Sequence, residues 1–243
     1  MFGTVGRMKS PVRSRRERPA KRALSLEWII AETIEIMRTE GLEKATMRRV
    51  AQALDTGPAS LYVYVANTAE LHAAVLDELI GSLEASAGKD WQTRLEGLLG
   101  SYADVLFTYP GLARSALVLR PIGPNAIRLY DRVLGLLIEG GIPADRAAWG
   151  VNLLLQHVTA NAAEHSPPTS SDTDGALSDA DELDAMTQVL RTVDADTAPN
   201  VAAHATELVS GTPADRVSWA IHVLLHGIAT VPIPAAPHGT ARS

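Results

Sequence analysis

Four helix starts are packed between Ser25 and Glu70, and that density constrains the fold more than any other feature of the sequence. Ser25 precedes Leu26, Ile30, Ile34 and Met37, which recur at helical spacing. A serine hydroxyl there accepts an N–H that the first turn leaves without a partner. Gly41 ends this helix, because glycine tolerates the left-handed backbone of a C-terminal cap. Thr46 caps a short second segment, Met47 to Leu54, with Val50, Ala51 and Leu54 on one face. Asp55-Thr56-Gly57 makes a three-residue turn. Pro58 sits where a third helix begins, its fixed φ and missing N–H suiting that position, and this helix runs to Tyr64. Asn67, with Glu70 three residues on, forms a capping box for a fourth helix whose apolar face is Leu71, Val75, Leu79 and Leu83. Two short helices joined by a tight turn after a longer one form the helix-turn-helix pattern; a generic helical hairpin is the competing explanation.

Charge separates the two ends of the chain. Residues 1–70 carry 12 Lys and Arg against 8 Asp and Glu, a net of +4, while the rest carries 10 against 20, a net of −10. The overall −6 therefore conceals a basic end suited to a polyanion. Its densest part runs from Arg13 to Arg22 and is interrupted by Pro11 and Pro19, which predicts a flexible arm rather than a helix. A solubilising tail explains the arm as well as a nucleic-acid contact does. Hydrophobic residues make up 46% of the 243, enough for a core, but aromatics only 5%, so Leu, Ala, Val and Ile must fill it. The absence of cysteine excludes disulfides, thiolate metal sites and cysteine nucleophiles. No apolar run approaches the ~18–20 residues of a membrane span. The basic N-terminus is not followed by an uninterrupted apolar segment, so no secretory signal is expected and the cytoplasm is the default location.

The run Gly41-Leu42, Thr46-Met47-Arg48-Arg49-Val50-Ala51, Leu54, Pro58-Ala59-Ser60-Leu61-Tyr62-Val63-Tyr64-Val65-Ala66-Asn67 and Glu70-Leu71 resembles the DNA-binding domain of the TetR/AcrR family of bacterial repressors. The resemblance covers residues 25–80. A weaker one, through Tyr109-Pro110-Gly111-Leu112-Ala113 and Gly123-Pro124-Asn125, extends to about residue 165 and is similar to the tetracycline-repressor-like C-terminal domain. It implies an all-α chain: a three-helix helix-turn-helix DNA-binding domain followed by an all-helical ligand-binding and dimerisation domain. The expected organisation is a flexible basic arm (1–24), the DNA-binding domain (25–72, its last helix continuing to about 86), an effector-binding and dimerisation domain (87–231) with a mobile loop near 166–180, and a tail (232–243).

Carried over by position, the resemblance implies that Pro58, Ala59, Ser60 and Val63 face base edges in a major groove. Tyr62 and Tyr64 bond phosphates through their hydroxyls, Thr46 and Arg48 reach the backbone or a nearby base, and Thr68 meets a phosphate at a helix N-terminus. Arg15, Arg16, Arg18 and Arg22 supply the arm's contacts, with the first three suited to a narrow, A·T-rich minor groove. The sequence departs from the family at Thr68, where lysine is usual, at Gly57, where Ser or Thr is usual, and at Asp55, where Gly is usual. Ala59, Val63 and Pro58 offer only apolar contacts, which suit thymine methyls, and Arg48 is the only forked donor near them. Leu61 is expected in the core, Tyr62 has a core reading beside its phosphate one, and Arg49 is expected to be a solvated surface residue.

In the C-terminal half, Gly141-Ile142-Pro143-Ala144-Asp145-Arg146-Ala147-Ala148-Trp149 recurs as Gly211-Thr212-Pro213-Ala214-Asp215-Arg216-Val217-Ser218-Trp219, and Leu154-Leu155 recurs as Leu224-Leu225. Both stretches read as long apolar helices, half of a four-helix bundle that a second subunit completes. The effector pocket is expected between helices of residues 91–165, with Tyr102, Phe107, Arg120, Asn125, His157, Asn161 and His165 as candidates. His157, Asn161 and His165 share a helical face that either lines a cavity or lies at a surface or interface. His222 and His226 are spaced as a metal pair, but no third ligand is evident, so packing is favoured and no metal or cofactor is expected.

The implied partners are a double-stranded DNA operator, a small-molecule effector and a second copy of the chain. A helical ligand carrier or enzyme is the alternative, yet there is no Gly-rich phosphate loop, Gly-x-Ser-x-Gly or His-Glu-x-x-His. An architectural DNA binder is a third possibility and would lack a cavity. Deleting residues 1–22 should weaken duplex binding and reduce the slope of log affinity against log salt by roughly one unit per lost phosphate contact. If affinity and slope both stay unchanged, the arm does not touch DNA.

Overall fold

The computed structural model describes residues 23–84, 87–109, 111–118, 122–165 and 179–234. Within them every regular element is helical: α1 (Leu26–Glu40), a 3-10 turn (Leu42–Lys44), α2 (Met47–Ala53), α3 (Pro58–Leu61), α4 (Thr68–Gly81), α5 (Trp91–Thr108), α6 (Leu112–Val118), α7 (Pro124–Glu139), α8 (Ala144–Glu164), α9 (Asp179–Arg191), α10 (Pro199–Ala203), α11 (Ala205–Leu208) and α12 (Pro213–Thr230). The arm, most of the loop near 166–180 and most of the tail lie outside the described residues, as does Arg120.

Local chemistry starts the helices where the sequence placed them. The Ser25 hydroxyl accepts the Trp28 N–H at 3.2 Å, Thr46 that of Arg49 at 3.2 Å, and the Asn67 side chain that of Glu70 at 2.8 Å. The Glu70 carboxylate answers at the Ala66 N–H (2.6 Å), one residue before the cap, so this box is wider than the usual form. α3 is shorter than expected. Its regular part ends at Leu61, and the chain passes through a turn in which the N–H groups of Tyr64 and Val65 both reach the Leu61 carbonyl. Burial of Val65 draws the backbone inward there.

α8 is the central element, packed against α5, α6, α7 and α12, and it buries Val151, Leu154, Leu155, Val158 and Ala162. α4 packs against α1 at one end and against α6 and α7 at the other. Its buried face is consequently wider than the expected stripe: Leu71, Val75, Leu76, Asp77 and Ile80 are inside, while Leu79 and Leu83 are only partly covered. The two repeated stretches are alike in three dimensions. Gly141 (φ 79°) and Gly211 (φ 80°) both take the left-handed conformation before their helices, and Trp149 and Trp219 both stay exposed. Only the second carries a full capping box, Thr212 with Asp215, because Ile142 stands in place of the threonine in the first. Among the described residues no helix is long and apolar enough to cross a membrane.

α5 and α7 meet tightly at their ends. A Cβ built on Gly140, the last cap of α7, would lie 2.4 Å from the Trp91 ring. Gly140→Ala should therefore lower stability by about 1–3 kcal/mol in urea unfolding, as overpacking does, although alanine is the better helix former. A gain in stability would show that the ring can step aside.

Candidate nucleic-acid interface and effector cavity

The interface begins with a turn. After α2, the Thr56 N–H returns to the Ala51 carbonyl at 2.9 Å and Asp55 adopts φ 50°, so aspartate fills the left-handed position. Gly57 then caps α3 without a side-chain bond, and Pro58 takes its first turn. Met47, Val50, Ala51, Leu54, Leu61 and Val65 are buried beneath. They hold α2 and α3 as one unit and force the intervening side chains outward. Pro58, Ala59 and Ser60 are exposed, Tyr62 is 55% exposed and Val63 81% exposed. A valine and a tyrosine left in water beside a well-filled core mark a face built for a partner. The core alternative for Tyr62 fails on its exposure, whereas Leu61 is fully buried as expected. Thr46 and Arg48 are exposed on the neighbouring helix start, and Thr68 is half-buried at the first position of α4.

Two assignments change. The Tyr64 hydroxyl donates to the Leu24 carbonyl at 2.6 Å. Its single proton is used to pin the chain just before α1, where the arm is rooted, and none is left to donate to a phosphate. Arg49 is not merely solvated: it forms a two-pronged ion pair with Glu40, with Nε 3.0 Å from one oxygen, and ties α2 to the end of α1. The pair holds the Glu40 carboxyl below its usual range. His72 of α4 lies with Nε2 3.3 Å from the Ala45 carbonyl, joining α4 to the strap before α2.

A cavity of about 70 Å³ lies where α4, α5, α6, α7 and α8 converge. Ile80, Ala116, Leu117, Ala126, Leu129 and Leu155 make its apolar wall, and Tyr102, Tyr130, Asn152, Gln156 and Thr159 its polar points. The Thr159 hydroxyl donates to the Leu155 carbonyl (2.8 Å) and therefore accepts from Tyr102 at 3.0 Å. Burial pushes the Tyr102 phenol up, so it stays neutral.

Of the expected effector residues that are described, Tyr102 alone is part of this wall. Phe107 is 39% exposed, because its neighbour Leu106 takes the inward position on α5. Asn125 is engaged by Asp77 and Arg128 at the start of α7. The Nε2 of half-buried His157 is buried without a hydrogen-bond partner, and the Asn161 carbonyl accepts the His165 N–H at the end of α8. The residues missed on α8, Asn152, Gln156 and Thr159, stand at helical spacings of four and three, whereas His157, Asn161 and His165 stand at fours, and Gln156 directly precedes His157. On a helix that is a rotation of about 100°. Polar side chains recurring in an apolar helix were a usable signal; their phase was not. His222 pairs with Glu96 at 3.0 Å, and among the described residues no cluster of three metal-ligating side chains occurs.

The fold and the outward face of α2 and α3 define a helix-turn-helix regulator joined to a helical ligand domain. Comparison with known proteins agrees. Residues 85–231 match the family model of the tetracycline repressor-like C-terminal domain. The HTH-type transcriptional repressor DrrR1 of Streptomyces coeruleorubidus is 26% identical over 217 residues, covering 88% of this chain and 80% of that one. The crystal structure of the Streptomyces coelicolor transcription regulator SCO7704 is 49% identical and superposes with a TM-score of 0.74, covering 88% of this chain and 99% of the other. ActR of Streptomyces coelicolor, solved in complex with actinorhodin, is 30% identical with a TM-score of 0.72, over 85% and 97% of the two chains. This chain belongs to the tetracycline-repressor-like family of DNA-binding transcription regulators.

Burial holds the His72 imidazole below its ordinary pKa of 6.5. The unfolded chain therefore takes up the proton first, and His72 favours folding fully above that value and progressively less below it. His72→Gln should flatten the decline of melting temperature between about pH 7 and 5. An identical decline in the variant would place the acid sensitivity elsewhere.

Proposed function

We propose that this chain is a homodimeric repressor that reads a pseudo-palindromic duplex and leaves it when a small molecule enters the cavity below α4. The observation that carries the DNA part is the outward set of Ala59, Ser60, Tyr62 and Val63 over a filled core. Ala59 and Val63 suit thymine methyls, Ser60 bonds base edges, and Arg48 supplies a forked donor. Tyr62 and Thr46 serve phosphates, with Thr68 beside them at the start of α4. Arg15, Arg16, Arg18 and Arg22 extend the contact from the arm. In the dimer, α8 and α12 meet their copies through Trp149, Leu153, Trp219 and Val223, all exposed in the single chain. This sets the two reading heads roughly 34–36 Å apart, one turn of B-DNA. Residues 25–72 form the reading head and 87–231 the dimerisation and effector domain. The protein acts in the cytoplasm by binding, without turnover.

The described cavity wall carries hydroxyls and amides but no charged side chain. This favours an uncharged, largely apolar effector with hydrogen-bonding groups. ActR was solved in complex with actinorhodin, which makes actinorhodin the first compound to screen. At about 70 Å³ the cavity is far smaller than the several hundred Å³ that such ligands fill, so entry must spread the helices.

Selection from random duplex DNA at fixed salt should recover a pseudo-palindrome. Recovery of only salt-sensitive, sequence-independent binding would overturn the reading. With the selected duplex, Tyr62→Phe should lose about tenfold in affinity, the worth of one hydrogen bond to a charged group. Tyr64→Phe should instead lower the melting temperature through the lost Leu24 tether. Equal effects of the two on affinity would return Tyr64 to the interface.

A further inference from the structure

Asp77 of α4 is a carboxylate only 8% exposed, and among the described residues its hydrogen-bond partners are uncharged. Its partners are amides at the start of a different helix. Oδ1 accepts the Ala126 N–H at 2.8 Å, and Oδ2 accepts the Asn125 N–H at 3.3 Å and the Asn125 Nδ2 at 3.1 Å. α7 has no side-chain cap of its own, since Gly123 occupies the cap position and Pro124 the first turn. Asp77 therefore caps α7 from α4, meeting its orphan donors and the positive end of its dipole. Two glycines make the approach possible. A Cβ on Gly123 would lie 2.2 Å from the Asp77 carboxyl carbon, and one on Gly81 of α4 would lie 2.8 Å from the Asn125 side chain. The contact is returned at the other end, where Arg132 of α7 donates to the carbonyls of Leu83 (3.0 Å) and Glu84 (2.7 Å) just past α4. Each helix thus closes an end of its neighbour.

This clasp lies between the cavity and the reading head. The methyl of Ala126, whose N–H is held by Asp77, lines the cavity, as does Ile80, one turn along α4 from Asp77. The far end of α4 packs on α1 and reaches Ala45 through His72. A ligand too large for the cavity must displace α7 or α4. With the amides of α7 bound to a buried carboxylate that has no other donor among the described residues, separating the two helices leaves a charge unsatisfied. Resting on the functional reading above, we infer that Asp77 is the positioning residue that makes α4 travel with α7, so that movement of the cavity wall becomes displacement of the recognition helix. Asp77 touches neither DNA nor the cavity; it acts through the first turn of α7.

Coupling between two sites is reciprocal, so the inference can be tested with duplex DNA alone. The full chain is followed by hydrogen–deuterium exchange, free and bound to the duplex selected above. In the wild type, DNA should slow exchange across 46–65 and also across 123–130, the latter by at least about fivefold, because fixing α4 quiets the clasped end of α7. In Asp77→Ala, and independently in Gly123→Ala, which expels the carboxylate without removing it, 46–65 should still be slowed. Exchange across 123–130 should then change by less than about twofold on DNA binding. Asp77→Asn, which keeps the volume and one acceptor, should fall between and serves if either other variant fails to fold. The inference is overturned if wild-type protection stops at 46–65, or if DNA still protects 123–130 in the variants; both results reduce Asp77 to a static cap. A wild type that protects nothing because it binds no duplex overturns the functional reading itself.

Discussion

Helix α4 has to pack against two groups of helices at once, and the architecture follows from that demand. Its buried Leu71, Val75, Leu76 and Ile80 belong to one continuous hydrophobic core, and the helix packs against α1 as well as against α6 and α7. A helix committed on two sides cannot turn independently of either. The reading head is consequently not a bead on a linker: its last helix is also a wall of the ligand domain. The buried Asp77 at this junction is tolerated because α7 offers it amides that would otherwise lack partners. The same contact relieves two local costs, a desolvated carboxylate and an uncapped helix.

The outward face of α2 and α3 shows how burial can be used to create exposure. Leu61 and Val65 are drawn inside and bracket Tyr62, Val63 and Tyr64, which a short turn must then project into solvent. Tyr64 finds the Leu24 carbonyl and closes the fold around the start of α1. Tyr62 and Val63 stay largely exposed among the described residues. The strap from Gly41 to Thr46 is held from both sides, by the Arg49–Glu40 pair and by His72, so the tilt of α2 and α3 is tied to α1 and α4 together. Such rigidity lets a small displacement of α4 matter to groove register. Charge is divided along the chain, with a net +4 in residues 1–70 and −10 beyond them.

Much of this was legible residue by residue. The caps at Ser25, Thr46 and Asn67, the left-handed Asp55, the proline start of α3 and the duplicated Gly-x-Pro-Ala-Asp-Arg starts of α8 and α12 are local chemistry, settled within a few residues of chain. The outward set of α3 came instead from the family resemblance, with Leu61 expected inside, and the structure added the burial of Val65. The cavity was not legible in this way. Its region and Tyr102 followed from the sequence, but Asn152, Gln156 and Thr159 were passed over for the neighbouring stripe, since α8 is apolar on several sides and its own pattern does not say which side faces α5 and α7.

What the sequence determined by itself was the all-helical composition of the chain, the order and caps of its N-terminal helices and the polarity of its charge. These depend on interactions spanning a few residues, where side-chain chemistry and helical spacing suffice. Only the tertiary structure decided that Asp77 caps α7, that Arg132 closes α4, that Tyr64 anchors the root of the arm, and which polar side chains of α8 surround the cavity. Each of those joins groups many residues apart, and their meeting depends on the rotation and crossing of whole helices, which no local pattern encodes.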